Sequence, residues 1–229
     1  TTPDGAIAET AGKLAQYEAV AGDSVVLHCS GALPSTAMAA LHDCGVETGS
    51  LHPLQSFAAE DMETNPFSGI MMAVEGRQQA VQTAWQIAEA LEARPFEIQT
   101  DKKGLYHASA VAASNYLVTL MNLSFQLMMA AGVPPANVWE VLKPLVTGTL
   151  SNIEKTGIPR ALTGPIARGD VETVEGHLVD IGDKAPTRLE LYRLLGRHTI
   201  EIAAAKGDLP QQAADRLLAL LSAGDSGDL

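Results

Sequence analysis

The chain has 229 residues, a formal net charge of −12, a hydrophobic fraction of 46% and only 4% aromatic residues. That length can bury a real core in one large domain or two small ones. Scarce aromatics with plentiful Ala, Leu and Val favour packed helices over a β-sandwich. The acidic balance argues against nucleic acid as the main partner and against an anionic membrane surface. It leaves room for a small anionic ligand held by a few placed basic groups.

The pattern opens on a helix, with Asp4 as its cap and Ile7, Ala11, Leu14 and Ala15 on one face. Gly22-Asp23 is a turn, and Val25–Cys29 is an apolar run suited to a strand buried on both faces. Met38, Leu41 and Cys44 mark a short helix ending before Gly45. Val46–Leu51 reads as a strand stopped by Pro53, and Ile70–Val74 as another. A helix over Arg77–Ala93 carries Ala80, Val81, Ala84, Ile87, Ala88 and Leu91 on one stripe, and Phe96–Ile98 is a last strand. Strands alternating with helices at these lengths imply βαβ units and a mainly parallel sheet.

After Lys102 no strand pattern returns. One long helix is expected over Gly104–Ala131, ended by Gly132 and Pro134. Its segment Ala108–Ala131 is interrupted by Ser109, Ser114, Asn115, Thr119, Asn122, Ser124 and Gln126, so it reads as a buried helix and not as a membrane span. Further helices are expected near Ala136–Leu145, Val171–Leu178, Thr187–Lys206 and Pro210–Leu221, with a frayed tail at Gly224–Leu229. The pattern alone therefore gives α/β plus all-α: a parallel sheet layer over 1–100, then a helical domain over 101–229. No signal peptide is read, and Cys29 and Cys44 read as reduced thiols, so the expected location is the cytoplasm. Cys29 is either a nucleophile or a small buried hydrophobe. The scattered histidines show no zinc spacing, so no metal is expected. No Gly-x-Gly or Gly-x-x-x-x-Gly-Lys phosphate loop occurs anywhere in the chain.

His52 is the most informative residue. It ends an apolar strand, and Pro53 holds it extended. Ligands of open parallel sheets bind at the carboxyl ends of strands, where a His can orient a carbonyl or relay a proton; the alternative is a structural hydrogen bond to a loop. Ser30 and Gly31 follow the preceding strand at the same edge, where the residues alone read as an ordinary strand-to-helix turn with Ser30 as its cap. His107, Ser114 and Asn115 are polar residues on the long helix that need partners, from substrate or from the neighbouring domain. Thr163 and Arg168 belong to a Gly- and Pro-rich turn, where Arg168 could clamp a substrate carboxylate or simply pair with Asp170.

Three blocks carry a family resemblance: Gly49–Phe57 with His28–Leu33 before it, Tyr106–Leu117, and Gly148–Ile153 continued by Leu162–Asp170 and Thr173-Val174. Together they resemble a Rossmann-like NADP oxidoreductase family with a C-terminal domain of unknown function, within the superfamily of 6-phosphogluconate-dehydrogenase-like C-terminal domains. The resemblance implies hydride transfer between NADP or NAD and a small keto, imino or hydroxy compound. The other reading is a non-catalytic ligand-binding or dimerisation protein that kept the fold. The resemblance makes the sheet layer over 1–100 a partial Rossmann-like parallel sheet domain. The resemblance also implies a small-molecule substrate, a homodimer through the helical domain and a nicotinamide beside Ser30 and Gly31, with catalysis expected from His52, Asn115 and His107. Substrate contacts would come from Ser114, Thr163 and Arg168. His52-Pro53 is similar to the His-Pro of prephenate dehydrogenases, where the His contacts the reacting oxygen. No Lys stands in the helix block where the superfamily often has one. Thr2–Ala8 is similar to the family's loop after its fourth strand, so the pyrophosphate half of the site is expected upstream of Thr1. Val25–Cys29 would then be the fifth strand, with an unpaired edge.

Overall fold

The computed structural model describes residues 2–57 and 65–223, and the tail Gly224–Leu229 lies outside them. The chain divides into two compact units, Thr1–Val118 and Thr119–Leu229.

In the first unit, helix α1 (Ile7–Gln16) precedes strand β1 (Val25–His28), and a 3₁₀ segment Ser35–Cys44 leads to β2 (Glu47–Pro53). Strand β3 (Met71–Gly76), helix α2 (Gln78–Ala90), β4 (Arg94–Glu97) and α3 (Lys103–Ala113) follow. The sheet order is β1-β2-β3-β4. The β1–β2 and β3–β4 pairs are parallel. The β2–β3 pair is antiparallel, so the sheet is mixed. Pro53 sits opposite Met72 and the Leu54 N–H donates to the Met71 carbonyl, so β3 starts beside the point where β2 ends and no crossover is needed. Pro53 therefore lies inside β2, not beyond it.

Alternation along the strands separates two faces. Leu51, Met72 and Val74 pack with Ala84 and Ala88 of α2. Val26 faces the other way, into a core of Ile7, Ala11, Met38, Leu41 and Val46 under α1 and the 3₁₀ segment. Ile87, expected on the buried stripe of α2, is 39% exposed, because Ala80, Ala84 and Ala88 form the contact line instead. Asp4 does not cap α1; its carboxylate accepts a hydrogen bond from the Ser30 hydroxyl at 2.7 Å. Cys29 is exposed rather than buried, since β1 ends at His28. Among the described residues β1 pairs on one side only, as an edge strand.

A close approach of two glycines sets the β2–β3 spacing. Gly49 and Gly76 are opposite each other, and Gly76 has φ +137°. A Cβ at Gly76 would lie 2.5 Å from both the Gly49 Cα and the Thr48 carbonyl oxygen. Backbone at both contacts cannot yield cheaply, and the φ itself is strained for an L side chain. Gly76→Ala is expected to cost about 2–4 kcal/mol, measured by urea unfolding with an unchanged m-value.

The second unit is helical. Helix α4 (Asn115–Ala130), which begins in the first unit, is followed by α5 (Val138–Thr156), α6 (Pro165–Arg168), α7 (Val171–Lys184), α8 (Leu189–Lys206) and α9 (Gln211–Ser222). Its core joins Ile166, Val174, Leu178, Ile200, Ala203, Leu217 and Leu221. The expected single helix over 104–131 is two helices, broken at Ser114 with φ −112° and ψ −70°. Nor is the stretch buried throughout: Tyr116, Val118 and Leu120 are exposed. Helix α5 runs to Thr156, well past the expected Leu145, with Pro144 inside it. No described helix is long and apolar enough to cross a membrane.

Candidate functional site

The site is built where two side chains of α3 reach β2. Alternate residues of a strand and residues three or four apart on a helix repeat at similar distances on one face. Ser50 and His52 of β2 therefore meet Lys103 and Tyr106 of α3, rung for rung. The Lys103 ammonium donates to the Ser50 hydroxyl, and His52 Nδ1 lies 2.7 Å from the Tyr106 hydroxyl.

The first rung is an ion pair sealed from water. Lys103 Nζ lies 3.2 Å from Glu75 Oε1, and the two side chains are 1% and 0% exposed. Glu75 also accepts from the Ser50 hydroxyl at 2.6 Å, and from the Ser35 backbone N–H and hydroxyl at 2.9 and 2.8 Å. Burial alone would raise the Glu75 carboxyl. The Ser50 and Ser35 bonds, the Lys103 charge and Thr100 together hold it below the ordinary carboxylate value. Burial lowers the Lys103 pKa, and the Glu75 charge opposes that without cancelling it. The register His28–Ser50–Glu75 places a third buried polar side chain in the same row. His28 Nδ1 accepts from the Ser30 N–H at 3.2 Å, which leaves the proton on Nε2. That nitrogen is buried with no hydrogen bond of good geometry among the described residues. Burial first, then the Lys103 charge, lowers the His28 pKa, although the Pro34 carbonyl pulls the other way.

The second rung is half-buried and reaches a cavity of about 670 Å³ lined by His52, Gln55, His107, Ser114 and Asn115 among others. The His52 and His107 rings stand edge to face, 6.4 Å between centroids. Gly31 is packed against both: a Cβ there would lie 2.7 Å from His52 Nε2 and 2.8 Å from His107 Cδ2. Burial lowers the His52 pKa, helped by Lys103 and His107, so the ring is neutral near pH 7.

The fold thus gathers His52, His107, Ser114, Asn115 and Gly31 in one unit. Ser114 and Asn115 are exposed rather than buried in a continuous helix, because the break at Ser114 turns them outward to the cavity rim. Ser30 is buried, and its hydroxyl is committed to Asp4 and to the Ala32 and Leu33 N–H groups. Its backbone N–H is taken by His28 Nδ1, which leaves only its carbonyl for a ligand. Thr163 and Arg168 belong to the second unit. Thr163 borders a cavity of about 310 Å³ with Ile166, His177 and Tyr192. Arg168 is exposed and lies 3.9 Å from Asp170, whose carboxylate caps α7 through Thr173. Sequence reasoning missed Lys103, Glu75 and Tyr106. Among the described residues no group of three His, Cys, Asp or Glu side chains is arranged to hold a metal ion.

Residues 70–199 match the family described as "Domain of unknown function (DUF2520)". The chain is 30% identical to protein TM1727 of Thermotoga maritima, with a TM-score of 0.71 over 90% of this chain and 77% of that one. It is 23% identical to a Bacteroides fragilis protein described as "putative NADP oxidoreductase BF3122", with a TM-score of 0.69 over 87% and 73% of the two chains. That likeness establishes the fold: a Rossmann-like α/β region with a helical region after it. No curated protein matches the chain.

Proposed function

The chain belongs to the DUF2520 family, and within it we propose that this protein is a nicotinamide-dependent oxidoreductase. It transfers a hydride between NADP or NAD and a small keto, imino or hydroxy compound. The observation that carries the reading is the neutral His52 imidazole, set at the carboxyl end of β2 against Gly31 and opening with His107 and Asn115 onto one cavity. The name of the Bacteroides fragilis neighbour points the same way.

The residues fit the nicotinamide end of such a cofactor. Gly31 follows β1 at the sheet edge where open α/β sheets bind ligands, and it brings backbone within contact of both imidazoles. When bound, the nicotinamide supplies or accepts the hydride. The chain's own residues orient the other reactant and stabilise its developing charge. His52 donates a hydrogen bond from its neutral imidazole to the substrate oxygen as negative charge grows there, and the proton that completes the alcohol or amine comes from solvent. Asn115, His107 and Ser114 supply further polar contacts at the rim. Lys103 is too buried to touch substrate; its positive charge helps to keep His28 and His52 neutral. The test is a nicotinamide absorbance assay of the full-length protein against small keto, imino and hydroxy acids. Turnover with at least one of them is expected; none with any of them, for either NADP or NAD, contradicts the reading.

The same reading includes a homodimer through the helical unit. Leu120 on α4 and Trp139, Leu145 and Leu150 on α5 are exposed apolar side chains of that unit. Such faces usually mark an interface. Sedimentation at micromolar concentration is expected to give twice the chain mass, and a stable monomer would refute it.

A further inference from the structure

The His52–Tyr106 pair decides which proton the site presents. A neutral imidazole has one donor nitrogen and one acceptor, and the partner of one nitrogen fixes the role of the other. Here the partner of Nδ1 is the Tyr106 hydroxyl at 2.7 Å, one turn along α3 from the sealed Lys103 rung. The tyrosine is itself held in place. Its ring stands edge to face with His52, 5.7 Å between centroids, and the Phe96 ring from β4 lies 6.0 Å away on another side.

Two arrangements are chemically possible. If Nδ1–H donated to the phenol oxygen, the hydroxyl proton would need a second acceptor, and the Tyr106 hydroxyl makes no other hydrogen bond among the described residues. If the hydroxyl donates to Nδ1, both groups are satisfied by one bond. Burial pushes the Tyr106 pKa up to about 12, so the hydroxyl keeps its proton. The ring of His52 then carries its hydrogen on Nε2, the nitrogen beside Gly31 and on the side away from Tyr106.

We propose that Tyr106 is a positioning residue: its hydroxyl donates to His52 Nδ1, fixes the Nε2–H tautomer, and makes His52 a neutral hydrogen-bond donor toward a substrate carbonyl. The proposal rests on the reading that this cavity receives the substrate. It goes beyond that reading in naming the residue that sets the polarity of His52. A donor at Nε2 selects a substrate oxygen with a lone pair, a carbonyl in the reducing direction or an alkoxide in formation, and disfavours a protonated iminium at that point.

The test is the ¹⁵N spectrum of the histidine side chains in the full-length protein at pH 7, with His52 assigned from its loss in His52→Gln. The wild-type protein alone is decisive on the tautomer: Nε2 protonated and Nδ1 a hydrogen-bonded acceptor is expected, and a protonated Nδ1 overturns the proposal. In Tyr106→Phe the His52 Nδ1 resonance is expected to move toward that of an unbonded imidazole nitrogen; a resonance that does not move also overturns it. On a turned-over substrate, Tyr106→Phe is expected to lower kcat by ~10-fold with KM little changed, and to add nothing to His52→Ala. Full additivity of the two substitutions overturns the positioning role. If instead His52→Ala leaves turnover unchanged while the tautomer is as stated, the functional reading of the cavity has failed and the Tyr106 assignment stands.

Discussion

Lys103→Met is expected to destabilise the protein by about 3–5 kcal/mol, the usual consequence of stripping one partner from a buried ion pair. The remaining Glu75 carboxylate is 0% exposed and would keep its bonds to Ser50 and Ser35 but lose its counter-charge. The double variant Lys103→Met/Glu75→Gln is expected to recover more than half of the loss, since Gln keeps an acceptor for the two serines without a charge. The deficit of the single variant has a definite pH dependence. In the wild type the folded Glu75 titrates below its ordinary value, so the stability it contributes is present above the carboxylate range and is lost as pH falls through the depressed value. Without Lys103 one of the causes that lower the Glu75 carboxyl is gone while burial still raises it, so the folded pKa is expected to rise. Between pH 8 and pH 5 the wild type keeps its Glu75 contribution, while the variant regains stability as its raised carboxyl takes up a proton, so the gap between them should narrow over that range. Urea midpoints at the two pH values measure it. A gap that is constant or widens toward acid would show that Lys103 contributes packing and not charge.

His52→Ala is expected to lower turnover by ~10²–10⁴, a range that covers the loss of a hydrogen-bond donor to a developing oxyanion, with nicotinamide affinity little changed. The substitution removes the Nε2 hydrogen and the partner of Tyr106 together. It leaves the Lys103–Glu75 rung intact, so the fold should hold. The informative comparison is with His107→Ala. The His107 ring touches that of His52 edge to face, but no hydrogen bond links them. A smaller loss, carried mainly in KM, is expected there. Equal losses in kcat at the two positions would mean that the imidazoles act as one unit and that His52 is not the sole donor.

Much of the first unit was legible because each element has a local signal. Apolar runs bounded by turns marked the strands, and Ala spacing marked α2. His52 stood out because a His-Pro ends a strand at the ligand edge of a sheet. The rest depended on partners distant in sequence. Lys103 sits in Thr100-Asp101-Lys102-Lys103-Gly104, a polar run that reads as a solvated boundary; its burial is decided by Glu75, which lies on β3 among buried apolar neighbours. A carboxylate in that company demands a cation, and that was the available signal. The antiparallel β2–β3 pair left no trace either, since alternation is the same in both directions. The break at Ser114 is invisible in a run of helix-compatible residues. The exposure of Tyr116, Val118 and Leu120 could not be read from their apolarity, because hydropathy says that a side chain will be covered and not by what.

Hydride transfer at the His52 cavity, as proposed, would leave an isotopic record in the product. The most direct measurement is isotope transfer: full-length protein is incubated with NADPH deuterated at the transferring carbon and a panel of small keto and imino acids, and the products are read by mass spectrometry. One deuterium in a reduced product, absent from the His52→Ala reaction, is the result predicted. Reduced product without deuterium, or the same deuterium yield from His52→Ala, would contradict it.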